Sequence, residues 1–260
     1  MEPLVIGLVA LVAAGLTFFS GFGLGTVLTP AFALFFPIPV AIAATAVVHL
    51  ANNLFKLALT VREADWPTVA RFGAPAAAAA ILGASTLTVL ERSDAVLRYE
   101  LAGRAFTVSP IAAVVGTLIV AFALLELWPR FRSLAFGIRW LPLGGALSGF
   151  FGGLSGNQGA LRSAFLLRTG LRKEAFIATG VVAAVIVDIT RLTVYGTGTV
   201  AAHLGATRDL APLVLVAIAA AFVGSFVGKR VLEKVTFRAV RIFVALAMLV
   251  IGTALALGWV

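Results

Sequence analysis

The chain has no cysteine, which excludes disulfides, thiolate metal sites and thiol redox chemistry. Histidine occurs only twice and the acidic residues never cluster, so there is no ligand set for a metal and no nucleophile–base pair. An enzyme is therefore not expected, nor a cofactor or metal. Charge is scarce too: only 12% of residues are Asp, Glu, Lys or Arg, where a soluble domain carries about 25%. No polar stretch is long enough to bury a core of its own, the longest being roughly 91–104. The G-x-x-x-x-G-K-[ST] pattern is also missing, which excludes a nucleotide-binding loop as energy source.

What is present is apolar. Hydrophobic residues make up 61% of the 260 and the mean hydropathy is +1.09, the composition of an integral membrane protein with the lipid bilayer as its surroundings. Only Glu2 precedes the first apolar run, which continues past the ~7–15 residues of a signal sequence, so the N-terminus is expected to stay in the mature protein. The net charge of +9 does not point to nucleic acid, because the cations sit in short loops between apolar runs, where they set membrane orientation.

Eight apolar segments cover roughly 3–35, 38–60, 69–90, 107–127, 140–167, 174–195, 211–228 and 239–258. Six have the length of a simple span, about 20 residues. The first and fifth are longer and carry glycines at their centres: Gly21, Gly23 and Gly25 in one, Gly149, Gly152, Gly153, Gly156 and Gly159 in the other. A tilted helix has no use for central glycine, which costs about 1 kcal/mol per residue. The alternative is a re-entrant hairpin, two short helices meeting inside the membrane where the backbone is buried or lines a wet cavity.

Cation counting favours the hairpins. If both long runs return to their starting side, the loops at 61–71, 128–139, 168–173 and 229–241 share one face with 13 cations, against four on the other face (Arg92, Arg98, Arg104 and Arg208). Lys56, Arg162 and Arg191 remain inside the membrane. Full crossings would move Arg168, Arg172 and Lys173 to the face opposite Arg130, Arg132 and Arg139 and weaken the bias. The cation-rich face is thus expected in the cytoplasm, with both termini outside. The fold class read from this is an all-α integral membrane protein of two inverted repeats, 1–134 and 135–260, each a glycine-broken re-entrant hairpin plus three transmembrane helices. Shifted by 134 residues, Thr45 meets Thr179, and IAATAVV at 42–48 meets FIATGVV at 176–182. The order of features carries the repeat better than these identities do.

Two stretches, SGFGLGTVLTPAFALFFPIPVAIAATAVVHLANNLFKLAL and LSGFFGGLSGNQGALRSAFLLRTGLRKEAFIATGVVAAVIVDITR, resemble the sulfite exporter family TauE/SafE, a group of bacterial membrane permeases. The resemblance implies a multi-pass protein of the cell inner membrane that moves small anions such as sulfite or organosulfonates. Members typically place asparagine about eight residues after the threonine in both halves. Here Asn53 fits after Thr45, whereas the second half has Val187 and Asp188.

Polar groups within the apolar runs nominate a site, since each mid-membrane charge costs from about 2.5 kcal/mol upward. Asp188 and Arg191, three apart on one helix, suit a mutual ion pair. His49, Asn52, Asn53 and Lys56 follow helical spacing and share one face; Lys56 suits either that stripe or snorkelling to the interface. His49 suits a hydrogen-bonded packing role or a proton carrier. Arg162, just after the second break, suits a two-oxygen clamp on a sulfonate, or alternatively a bond to a helix C-terminal carbonyl. Asn157 and Gln158 are turn formers or donors. Three intramembrane cations against one acid favour an anionic substrate. The expected substrate-binding set is Gly21, Gly23, Gly25, Thr26, Asn52, Asn53, Lys56, Ser155, Asn157, Gln158, Gly159, Arg162 and Arg191. His49 and Asp188 are candidates for a coupling proton. Glu126, Trp66, Trp128 and Trp140 read as interfacial residues. The reading is a secondary transporter of a small oxyanion bound near the midplane. An anion channel of the same fold and a membrane assembly factor are the alternatives.

Overall fold

A computed structural model describes residues 2–20, 24–94, 96–130, 136–197, 204–231 and 237–259. The helices among them are α1 (Glu2–Ser20), α2 (Leu24–Ala33), α3 (Ile38–Thr60), α4 (Trp66–Glu91), α5 (Pro110–Leu127), α6 (Leu141–Ser155), α7 (Gly159–Leu166), α8 (Lys173–Thr197), α9 (Leu204–Val231) and α10 (Phe237–Ala256). Five of the described helical segments are long and apolar enough to cross a membrane. Their outward faces are apolar as well, with Leu82, Val89, Leu215 and Val250 all exposed, which suits lipid rather than water. Helix starts follow local chemistry. Asp65 Oδ1 accepts from Thr68 N at 2.9 Å and Ser109 Oγ from Ala112 N at 3.3 Å, each with a proline in the first turn. Hydrogen bonding to Thr68 holds the Asp65 carboxyl below its ordinary value.

The second glycine-rich run is broken into two helices, α6 and α7, and the first contributes α1 and α2. α1 and α2 pack on each other, with the expected site residues Gly21 and Gly23 outside the described residues, as is the expected boundary between halves at residue 134. The second run doubles back: Phe136 N, ahead of α6, donates to Ala164 O in α7 at 3.3 Å, and the Phe136 and Phe165 rings stack at 4.3 Å. The turn between α6 and α7 is made at Gly156, whose φ of 82° caps α6 in the left-handed region.

This folding back brings cationic loops to one end. Arg172 donates to Glu63 at 3.4 Å and Asp65 N donates to Thr179 Oγ1 at 2.9 Å, joining the connection after α3 to the start of α8. Phe136 on Ala164 adds the connection before α6. At the opposite end stands a two-stranded antiparallel hairpin, β1 (Leu97–Leu101) and β2 (Arg104–Val108). It is tied to the C-terminal segment by Tyr99 OH donating to Leu257 O at 2.7 Å and Trp259 Nε1 donating to Tyr99 OH at 2.9 Å. The hairpin is an addition to the all-helical expectation.

The principal helix pairs are α4 with α6, α1 with α9, and α5 with α10. The first is a zipper of small residues. Gly145, Gly149 and Gly153, spaced by four, face the carbonyls of Phe72, Ala76 and Ala80, also spaced by four. Backbones thus approach as closely as small-xxx-small faces allow. A Cβ at position 149 would fall onto the Ala76 carbonyl oxygen. Gly149→Val should therefore force α4 and α6 apart at a cost of about 1–3 kcal/mol or more. The check is the thermal unfolding midpoint of the purified protein, and an unchanged midpoint would show that this seam does not hold the pair.

Glu126 is corrected by the structure: it is buried, not interfacial. It follows Ile119, Phe122 and Ala123 by seven, four and three residues, so it falls on the packed face of α5. The tryptophans at 66, 128 and 140 are exposed at helix ends.

Candidate functional site

The start of α2 meets the α6–α7 turn. A Cβ on Gly25, at the start of α2, would lie 3.1 Å from the carbonyl oxygen of Gly156, and one on Gly156 would lie 3.7 Å from Thr29 Oγ1. Thr29 in turn donates to Gly25 O at 3.0 Å. Around this junction the apolar interior gives way to a cluster of buried polar side chains from α3, α7, α8 and the α6–α7 turn.

Asp188 is its centre and is fully buried. Oδ1 accepts from Arg191 Nη2 at 2.8 Å and from Gln158 Nε2 at 3.1 Å. Oδ2 accepts from Asn53 Nδ2 at 3.2 Å and lies 2.6 Å from His49 Nδ1. The expected Asp188–Arg191 pair is therefore present, and it sits inside a larger network. Arg191 also donates from Nη1 to Gly152 O at 3.1 Å, near the C-terminal end of α6. That is the carbonyl role considered for Arg162 from sequence; α8 supplies it instead.

Arg162 donates to Gln158 Oε1 at 3.3 Å, one turn earlier on the same segment. Lys56 is buried, as is Arg162, so neither snorkels to the surface. The two lie within electrostatic reach of each other, and Arg162 within reach of Asp188. Burial in a low-dielectric interior makes each of these charges strongly felt by the others.

The stripe on α3 divides between two neighbours. His49 and Asn53 turn to α8, whereas Asn52 accepts from Ser225 Oγ of α9 at 2.7 Å. Asn157 donates to Ser155 Oγ at 3.1 Å, and Gln158 N donates to Gly156 O at 3.1 Å, so both residues shape the turn while Gln158 also reaches the carboxylate. Gly25, Thr26, Ser155 and Gly159 are buried along the two breaks. Two buried donors, Asn52 Nδ2 and Arg191 Nε, have no acceptor among the described residues.

Sequence reasoning missed Ser148, Tyr195, Thr29 and Ser225. Ser148 Oγ donates to Gln158 O at 3.0 Å, and Tyr195 OH donates to Gly153 O. Tyr195 had a readable signal, since it follows Asp188 and Arg191 by seven and four on one helical face. Ser225 had none, because its role depends on which helix packs beside α3.

The family model described as sulfite exporter TauE/SafE matches residues 6–255, nearly the whole chain. No curated protein and no solved structure matches.

Proposed function

The chain belongs to the sulfite exporter TauE/SafE family, and from that membership we propose that it is a secondary transporter of a small oxyanion, sulfite or an organosulfonate, bound where its two broken segments meet. The chain is a multi-pass membrane protein of a transporter family. One observation carries the oxyanion reading: buried positive charge exceeds buried negative charge at that junction, since Arg191 pairs with Asp188 while Arg162 lies within electrostatic reach of both Asp188 and a third buried cation, Lys56, and Arg191 Nε has no acceptor among the described residues. A trigonal or tetrahedral oxyanion supplies negative charge and several acceptors at once. Broken helices at a membrane midplane are where transporters bind such groups. In this reading the guanidinium of Arg162 clamps two oxygens, the ammonium of Lys56 supplies a point charge, and Gly25, Thr26, Asn157 and Gly159 offer backbone and side-chain groups along the breaks. Asp188 and Arg191 hold the wall, and His49 or Asp188 carries a coupling proton.

The inverted repeat belongs to the same proposal. The first helix of each half packs on the penultimate helix of the other, α1 on α9 and α6 on α4, while α3 meets α8 and α5 meets α10. A two-fold axis in the membrane plane produces that reciprocity. Rocking of the halves about the junction would expose the site to each side in turn. The clustered cationic loops then face the cytoplasm in the inner membrane.

Counterflow in proteoliposomes tests the reading. Labelled sulfite should enter several times faster into vesicles preloaded with unlabelled sulfite than into empty ones. Flux without that stimulation would identify a channel. No flux of sulfite, taurine or sulfoacetate would remove the oxyanion assignment.

A further inference from the structure

Gln158 touches two oppositely charged groups of the site, Asp188 and Arg162, with one amide. Nε2 donates to Asp188 Oδ1 at 3.1 Å, while Oε1 accepts from Arg162 at 3.3 Å. Its backbone is held separately, by Ser148 Oγ on its carbonyl at 3.0 Å and by Gly156 O on its N–H at 3.1 Å. The turn therefore does not depend on the amide, which is nonetheless buried. Beyond Asp188 the same chain of contacts continues to His49, whose Nδ1 lies 2.6 Å from Oδ2.

We propose that Gln158 is the positioning residue that converts anion binding at Arg162 into proton uptake at His49, so that oxyanion and proton cross the membrane together. The inference rests on the oxyanion reading above. An anion that occupies the fork of Arg162 competes for the N–H that Gln158 Oε1 accepts. Once released, the amide withdraws its other end from Asp188. The carboxylate then has one donor fewer, and the anion offsets the positive charge of Arg162. Both changes favour the imidazolium. A proton from water on the open side adds to the His49 imidazole, with Nδ1–H kept on Asp188 and the new N–H at Nε2. Asn53 Nδ2, 3.0 Å from Nδ1 and 3.4 Å from Nε2, gives up the imidazole and keeps its bond to Asp188 Oδ2. For a monoanion, one anion and one proton leave the site's net charge unchanged.

Of the buried charged groups around His49, Asp188 favours the imidazolium, and the cations oppose it until a bound anion offsets them. Asp188 and Arg191 face it from α8, Arg162 from α7, and Lys56 lies two turns along its own helix. Arg62 and Glu63, just past the end of α3, are exposed. The charged residues of α2 and α9, the other helices that pack on α3, are confined by sequence to the two ends of α9: Arg208 and Asp209 at one, Lys229 and Arg230 at the other. His49 is thus the one group in the cluster whose ordinary titration falls near neutrality.

Methanesulfonate, which does not titrate near neutrality, separates anion binding from proton binding. Its affinity for the purified full-length chain is measured between about pH 6 and pH 8, with protons counted by calorimetry in two buffers of different ionisation enthalpy. Binding that takes up a proton tightens as pH falls, by reciprocity. The unaltered chain should take up close to one proton per anion and so bind about tenfold more tightly for each unit of pH lowered, about 100-fold across this window. Gln158→Met, which keeps length and volume, should flatten that dependence to under about twofold, and His49→Gln should do the same. A pH dependence in Gln158→Met equal to the parent's overturns the coupling role and leaves the anion site standing. Absence of methanesulfonate and sulfite binding by the unaltered chain overturns the oxyanion reading and this proposal with it. If Gln158→Met does not fold, Gln158→Asn takes its place, because the shorter amide cannot span both partners; full pH dependence in that variant overturns the proposal equally.

Discussion

Asp188→Ala should lower stability by about 3–5 kcal/mol, the cost of leaving a buried charge without its partner. Four side chains from three elements direct hydrogen bonds at this carboxylate, and Arg191 beside it is fully buried. Alanine leaves the buried guanidinium bonded to Gly152 O but without the counter-charge beside it. The expected fall in unfolding midpoint is on the order of 10 °C for a chain of this size. Pairing the change with Arg191→Met removes the stranded charge and should recover part of the loss, as replacing both partners of a buried pair often does. A single variant that melts within about 2 °C of the parent would show that Asp188 is not the keystone of the cluster. The double variant also separates stability from binding, since it restores the wall without restoring the acceptor.

The Asp188–Arg191 pair was legible because it is local: three residues apart on a helix fixes proximity before any tertiary contact forms. The breaks were legible because glycine at the centre of an apolar run has no helical justification. What the sequence could not contain was the pairing of His49 with Asp188, 139 residues away. It arises only once α3 packs on α8, and neither helix's periodicity names its neighbour. The expected stripe on α3 was therefore correct as a buried face and incomplete as a set of partners, since Asn52 turns to α9.

The hairpin at 97–108 had a signal that was easy to lose. Leu97, Tyr99 and Leu101 alternate with Arg98 and Glu100, the period of a strand. The turn is Ala102-Gly103, with both residues at positive φ, 51° and 75°. Such turns usually announce themselves by Asn-Gly or Asp-Gly, and alanine at the first position hides this one. Glu126 failed differently. Its nearness to Trp128 suggested an interface, whereas helical phase with Ile119 and Phe122 decided burial.

Arg162→Ala should weaken oxyanion binding about 10- to 100-fold, the loss of roughly 1.5–3 kcal/mol expected when a charged hydrogen-bond donor is removed. Lys56→Met, which keeps the apolar stem and removes the ammonium, should weaken it in the same direction. Neither change touches the Asp188–Arg191 contact or the Arg191–Gly152 tie, so the fold should survive both, and an unfolding midpoint close to the parent's makes the binding result interpretable. Arg162→Lys separates charge from shape. It retains the positive charge and loses the planar fork, so its recovery should be partial for a sulfonate that uses two oxygens. Thermal shift against sulfite, sulfate, thiosulfate, taurine and sulfoacetate reads all three variants on one scale. Unchanged affinity in both Arg162→Ala and Lys56→Met would sink the site assignment. Loss in Arg162→Ala alone would place the anion against α7 and away from α3, because these two cations reach the junction from opposite halves of the chain.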